Sequence, residues 1–246
     1  QQWVANNGNT FLTDINGGGI FFGTQFHAYE LIVGWTYDSR NRALFADRGS
    51  RQQVFLSYAM PIGDVEYYTL RYNFTKYVPI YKQWTFRANV ELGFGEGLGD
   101  TTAIPPYKQF FGGGPESIRG YKESWLGPRD SFGNPYGGNV LVASQLELII
   151  PIPQKFRSKA RASIFYDIGN VFNTGEVAFT DKLGSPLSYK PDYNELRTSV
   201  GLAIQWLAPL GLFRFSYALP LNEVAGNDRF YGDQIERFQF SIGQAF

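Results

Sequence analysis

Oily and wet side chains alternate with a period of two through most of this chain. In residues 84–95, Trp84, Phe86, Ala88, Val90, Leu92 and Phe94 share one face, and Thr85, Arg87, Asn89, Glu91, Gly93 and Gly95 share the other. That is the spacing of a β-strand whose two sides meet different surroundings. Just upstream, Tyr68, Leu70, Tyr72 and Phe74 alternate with Thr69, Arg71, Asn73 and Thr75. The pattern returns in residues 29–37, 53–60, 140–150, 160–168, 196–206, 213–219 and 238–246. It predicts about eight to nine strands, many of the roughly 9 to 11 residues that cross a bilayer when tilted. No segment carries a capped helical period, so the chain reads as all-β. Two architectures share this pattern. A soluble sandwich turns the oily face inward, and an antiparallel transmembrane β-barrel turns it to lipid.

Connection lengths favour the barrel. Those at residues 78–82, 151–157 and 207–211 are short, and those at 99–138, 173–194 and 220–235 are long. Outer-membrane barrels place tight turns on one rim and long loops on the other. Two connections break the rule, 38–49 by its length on the short side and 61–65 by its brevity on the long side. Trp35, Trp84 and Trp206 fall near connections of one rim. They are either a girdle at a membrane boundary or three ordinary half-buried sheet residues.

Composition fits the same picture, with 28 glycines, 22 phenylalanines and 16 tyrosines among 246 residues, an unusual mixture for a soluble globular protein. Charges cancel, 22 basic against 22 acidic, so no net field draws the chain to nucleic acid and no nucleic-acid partner is expected. Cysteine is absent, which removes disulfides and thiolate metal sites. Neither a metal nor a cofactor is expected. No apolar run reaches the roughly 18 residues of a transmembrane helix, which leaves a barrel open because its strands show lipid only every second residue. The chain starts QQWVANN, with no initiator methionine or signal-peptide pattern, and is read as processed or cut from something longer.

The stretch GGGPESIRGY at residues 112–121 is the densest candidate for chemistry. A phosphate-binding loop needs GxxxxGK[ST] running into a helix, whereas Gly120 is followed by Tyr121 and Lys122 with no helix to receive a phosphate. The only histidine, His27, has no carboxylate two or four residues away, so a Ser–His arrangement is hard to build and no enzyme is expected.

Five blocks, IRGY at 118–121, YGGNVLVASQLELIIPIP, FYDIGNVF, GLAIQWLAPLGLFRFSYALPL and ERFQFSIGQAF, resemble the BamA family of outer-membrane assembly factors. The TamA proteins and the FhaC-type two-partner secretion transporters are cousins of that family. The resemblance implies an integral barrel in the outer membrane of Gram-negative bacteria that folds client β-barrels through a lateral seam. It also implies a large loop folded back into the lumen, with the arginine of a (V/I)RG(F/Y) tip held by acidic wall residues. Carried over by position, the tip is Ile118, Arg119, Gly120 and Tyr121, and its partners are Glu147 in QLEL and Asp167 in FYDIG.

Parity points the same way. Val140, Val142, Leu146, Leu148 and Ile150 are even-numbered and oily, which turns Glu147 to the other face with Gln145. Ile164, Tyr166 and Ile168 likewise leave Asp167 on the wet face. An arginine fork bonds both carboxylates and holds both ionised, which argues against an acid/base pair. Gly93, Gly95, Gly97 and Gly99 lie on the wet face too. They either leave a smooth strip for the loop or bend the strand.

At the end of the chain, Phe238, Phe240, Ile242 and Phe246 alternate with polar or small residues, similar to the C-terminal signal of outer-membrane barrels. In the family this last strand meets the first weakly, and the seam templates an incoming strand. The partners implied are outer-membrane lipids, unfolded client barrels, the BAM lipoproteins of a full-length parent, and a second copy of this chain through open edges. Family members carry about sixteen strands and periplasmic POTRA domains, so residues 1–246 are read as one C-terminal barrel portion without POTRA domains. An odd nine would leave the first and last strands parallel. Either residues 1–22 add a strand, or one strand drops out, or the barrel stays open or pairs with another copy. A passive pore, with an unplugged lumen, and an FhaC-type transporter remain as other functions.

Overall fold

The computed structural model describes residues 27–130, 132–175 and 177–243, together with the backbone of the strands Gln2–Asn6, Asn9–Thr13 and Ile20–Phe21. One nine-stranded sheet dominates. Its strands are β1 (Glu30–Asp38), β2 (Gly49–Ala59), β3 (Tyr67–Tyr81), β4 (Trp84–Gly97), β5 (Val140–Ile150), β6 (Ala160–Phe172), β7 (Arg197–Ala208), β8 (Gly211–Pro220) and β9 (Phe238–Gly243). Each pairs antiparallel with its sequence neighbour, an up-and-down meander with no crossover.

Burial runs opposite to that of a soluble sheet. Along β5 the polar Gln145 and Glu147 are buried while Val142 is exposed, and along β6 Ser163 and Asp167 are buried while Ile164 and Tyr166 are exposed. On β4, Leu92 and Phe94 face outward. A sandwich hides its oily face, whereas a barrel in lipid shows it and keeps the polar face inside, so this is a transmembrane barrel sheet. Trp35 and Trp206 stand exposed on the outer face near the short-turn rim, and Trp84 opens β4 at the same rim. That is where an amphipathic ring sits between lipid and water.

The inner faces of β2 to β8 look onto a common cavity, so the sheet is curled. Its edges are β1 and β9, which do not pair with each other among the described residues. With nine strands they run in the same direction. The strands Gln2–Asn6, Asn9–Thr13 and Ile20–Phe21 pair among themselves and not with this sheet. Of the four outward residues read at the end of the chain, Phe238, Phe240 and Ile242 are exposed on β9, and Phe246 lies outside the described residues.

Candidate functional site

Residues 98–139, between β4 and β5, fold back inside the curled sheet. The apolar side chains of this loop pack on the wall: Phe110, Ile118, Tyr121 and Leu126 are buried together with Leu141, Ala143 and Val171. The loop lies directly on the glycines of β4. A Cβ on Gly93 would meet the Phe110 ring at 2.8 Å, and one on Gly97 would meet the Thr101 carbonyl at 1.9 Å. Close backbone approach is the use of that strip.

At the loop tip, Arg119 is 4% exposed, Glu147 1% and Asp167 0%. The guanidinium grips Asp167 bidentately, Nε to Oδ2 and Nη2 to Oδ1, both at 2.7 Å, and donates from Nη1 to Glu147 Oε1 at 2.7 Å. Its backbone N–H donates to Asp167 Oδ2 at 3.0 Å. Three contacts of the site are not given by parity. Arg87, directly opposite Glu147 in the β4–β5 register, forms a second ion pair with Glu147 Oε1 at 3.2 Å. Phe165 turns inward, and its ring lies 3.6 Å from the Arg119 guanidinium carbon, a stacked cation–π contact in a desolvated site. Gln239 of β9 clamps the tip backbone, accepting from Gly120 N–H at 3.3 Å and donating to the Tyr121 carbonyl at 2.7 Å.

The other tip residues are placed as firmly. Ile118 and Tyr121 are fully buried. The Tyr121 hydroxyl donates to the Thr198 carbonyl at 3.2 Å and lies 3.3 Å from Asn222 Oδ1. Burial, reinforced by the Asp233 carboxylate, pushes its phenol up to about 12, so it stays a neutral donor. Gly120 and Tyr121 also pair as a short antiparallel bridge with Ile235 and Glu236, just ahead of β9. The loop is thus tied to the last strand by backbone and side chain together.

It is tied to the first strand as well. Glu30 at the start of β1 accepts from Tyr67 at 2.5 Å, from Ser57 at 2.9 Å and from Lys108 of the loop at 2.7 Å. Both edge strands therefore report to one loop. For the β9 end, replacing Gln239 by alanine removes two hydrogen bonds to buried backbone groups and is expected to cost roughly 1–3 kcal/mol. A urea titration in detergent micelles that finds Gln239→Ala as stable as the parent would contradict this.

Comparison with known proteins follows the same geometry. The Omp85 superfamily domain matches residues 23–246. The chain is 35% identical over 234 residues to the outer membrane protein assembly factor BamA of Neisseria meningitidis serogroup B, covering 89% of this chain and 29% of that protein. It is 28% identical over 167 residues to the sorting assembly machinery 50 kDa subunit of Saccharomyces cerevisiae, covering 66% of this chain and 32% of that one. Among solved structures, BamA from Haemophilus ducreyi lacking POTRA domains 1–3 superposes with a TM-score of 0.72 at 31% identity, over 86% of this chain and 41% of the other. The chain therefore spans less than half the length of these relatives. A polar-inside, apolar-outside barrel sheet, a loop seated in its lumen, and a match over residues 23–246 lead to one conclusion: this outer-membrane chain belongs to the Omp85 superfamily.

Proposed function

We propose that this chain is the C-terminal barrel portion of an outer-membrane protein assembly factor, and that it receives unfolded client barrels at its strand edges. The observation that carries the reading is the pair of edges, β1 and β9, unpaired among the described residues and both anchored to the same lumenal loop. An unpaired edge offers a row of N–H and C=O groups that templates another strand. The client's own strand pairing and burial in lipid supply the driving force, so no nucleotide is required. In this reading Arg119, Glu147 and Asp167 form a seat for the loop rather than a catalytic group, and the outward aromatics of β9 face lipid and the incoming strand. POTRA domains and lipoprotein partners belong to the longer parent. A loop seated in the lumen weighs against a passive pore.

The test is reconstitution of the parent protein in vesicles, followed by the rate at which an unfolded barrel client becomes protease-resistant. Insertion faster than in empty vesicles is expected, together with a disulfide between a cysteine placed at Ile242 and a cysteine in the client's last strand. Equal rates, or acceleration without any crosslink at that edge, overturn the reading.

A further inference from the structure

The turn joining β1 to β2, residues 39–48, is the long exception on the short-turn rim, and its length has a structural use. It folds into the mouth of the curled sheet: Ala46 is buried against Tyr77 and Ile149. Arg161 of β6 holds it there, donating from Nη2 to the Ala46 carbonyl at 2.6 Å and lying over the rings of Phe45 and Tyr77 at 5.3 and 5.6 Å. Between this turn and the tip of the inner loop lies a cavity of about 300 Å³, walled by inward residues of β2 to β8.

The wall of that cavity is unusual in charge. Six arginines line it and no lysine does, against two carboxylates, Glu116 and Glu147. Adding Asp38 and Asp167, which pair with these arginines from just behind the wall, six guanidinium groups meet four carboxylates. Two positive charges are left in excess. Arg161 forms no ion pair among the described residues. Arg51 comes no closer than 4.0 Å to Asp38, and its buried Nε has no hydrogen-bond partner. Arg214 binds Glu116, yet its own Nε is buried without a partner.

Like charges that face one cavity without matching anions repel one another, most at Arg161, which is buried, and less at the partly exposed Arg51 and Arg214. Water can satisfy their N–H groups but cannot neutralise the excess; an anion does both. A phosphomonoester carries about −1.5 to −2 charges at neutral pH, which matches the surplus. Its several oxygens accept guanidinium N–H groups in pairs, the geometry for which arginine is suited and lysine is not. We propose that this cavity binds a phosphomonoester dianion through Arg51, Arg161 and Arg214. Its ligand is either inorganic phosphate or a phosphorylated headgroup, since both present the same chemistry. With Arg40 supplied by the turn and Glu116 by the inner loop, an occupant also braces one plug against the other.

Inorganic phosphate titrated into the full chain in detergent micelles, at constant ionic strength set with chloride and followed by ³¹P line broadening, tests the site. Saturable binding is expected, weakened about tenfold or more by Arg51→Gln or Arg161→Gln, and unchanged by Arg71→Gln, whose arginine pairs with Glu91 away from the cavity. Arg51 holds no close partner, so its variant is expected to fold even where Arg161→Gln releases the turn. Competition by phosphatidate vesicles but not phosphatidylcholine vesicles supports a lipid-borne ligand; no competition by either supports the free ion. Absence of saturable binding above chloride, or equal binding by the parent and Arg51→Gln, overturns the proposal.

Discussion

Replacing Arg119 by alanine is expected to destabilise the barrel by about 3–5 kcal/mol, the range for breaking a buried ion pair by removing one partner. The cost should fall unevenly on the two carboxylates. Asp167 is fully buried and takes both of its side-chain hydrogen bonds from the Arg119 guanidinium; afterwards only the backbone N–H of residue 119 is left to it. Glu147 keeps Arg87 at 3.2 Å. Neutralising the abandoned group therefore helps more at one site than at the other: adding Asp167→Asn to Arg119→Ala should recover more stability than adding Glu147→Gln. Lysine at 119 should fall between arginine and alanine, because one ammonium cannot span both carboxylates with the arginine fork. Urea unfolding in micelles, read by tryptophan fluorescence across this double-mutant set, measures each difference. A single-mutant loss below about 0.5 kcal/mol, the size of an ordinary surface substitution, would mean that the tip is not anchored by this charge.

Gly120→Ala should cost about 2–4 kcal/mol, from two causes that can be separated. The backbone at Gly120 has φ +90°, where a side chain is strained by roughly 1–2 kcal/mol, and a new Cβ would stand 2.9 Å from the Ala218 Cβ, an overpacking penalty of about 1–3 kcal/mol. Ala218→Gly removes the second cause and leaves the first, so the double variant should recover part of the loss. Full recovery would show that the conformation at 120 carries no strain; no recovery would show that β8 does not constrain it. Because Gly120 N–H also meets Gln239, the same variant should loosen β9, seen as faster amide exchange at residues 238–243.

Much of the site is legible in parity. Once Val140, Val142 and Leu146 face lipid, Glu147 must face inward, and Ile164 and Tyr166 do the same for Asp167. Gln239 follows from Phe238 and Phe240 by the same step, as does Arg87 from Phe86 and Ala88. What parity does not contain is the target of each inward group. That Arg87 backs Glu147 requires the β4–β5 register. Phe165 runs against the rule, an aromatic on the polar face, and its purpose is visible only with the Arg119 guanidinium stacked on it. The long 39–48 turn reads as an irregularity in the loop pattern until Ala46 is seen buried against Tyr77 and Ile149.

The division has a physical origin. By itself the sequence determined an all-β chain with a wet and an oily side, a count of about eight to nine strands, the rim assignment and the inward direction of the carboxylates, because side-chain alternation is a property of neighbours along one strand. Only the tertiary structure decided how the inner loop is seated, that β1 and β9 stay unpaired among the described residues, and that the strands Gln2–Asn6, Asn9–Thr13 and Ile20–Phe21 pair apart from the main sheet. The Arg119 contacts with Glu147 and Asp167 are legible through the resemblance of IRGY, but the rest of the seating rests on contacts far apart along the chain, 78 positions for Lys108 with Glu30 and 119 for Gly120 with Gln239. Closing such long loops is compensated only when many contacts form together, and apart from the IRGY tip no local pattern in 98–139 records which of them will.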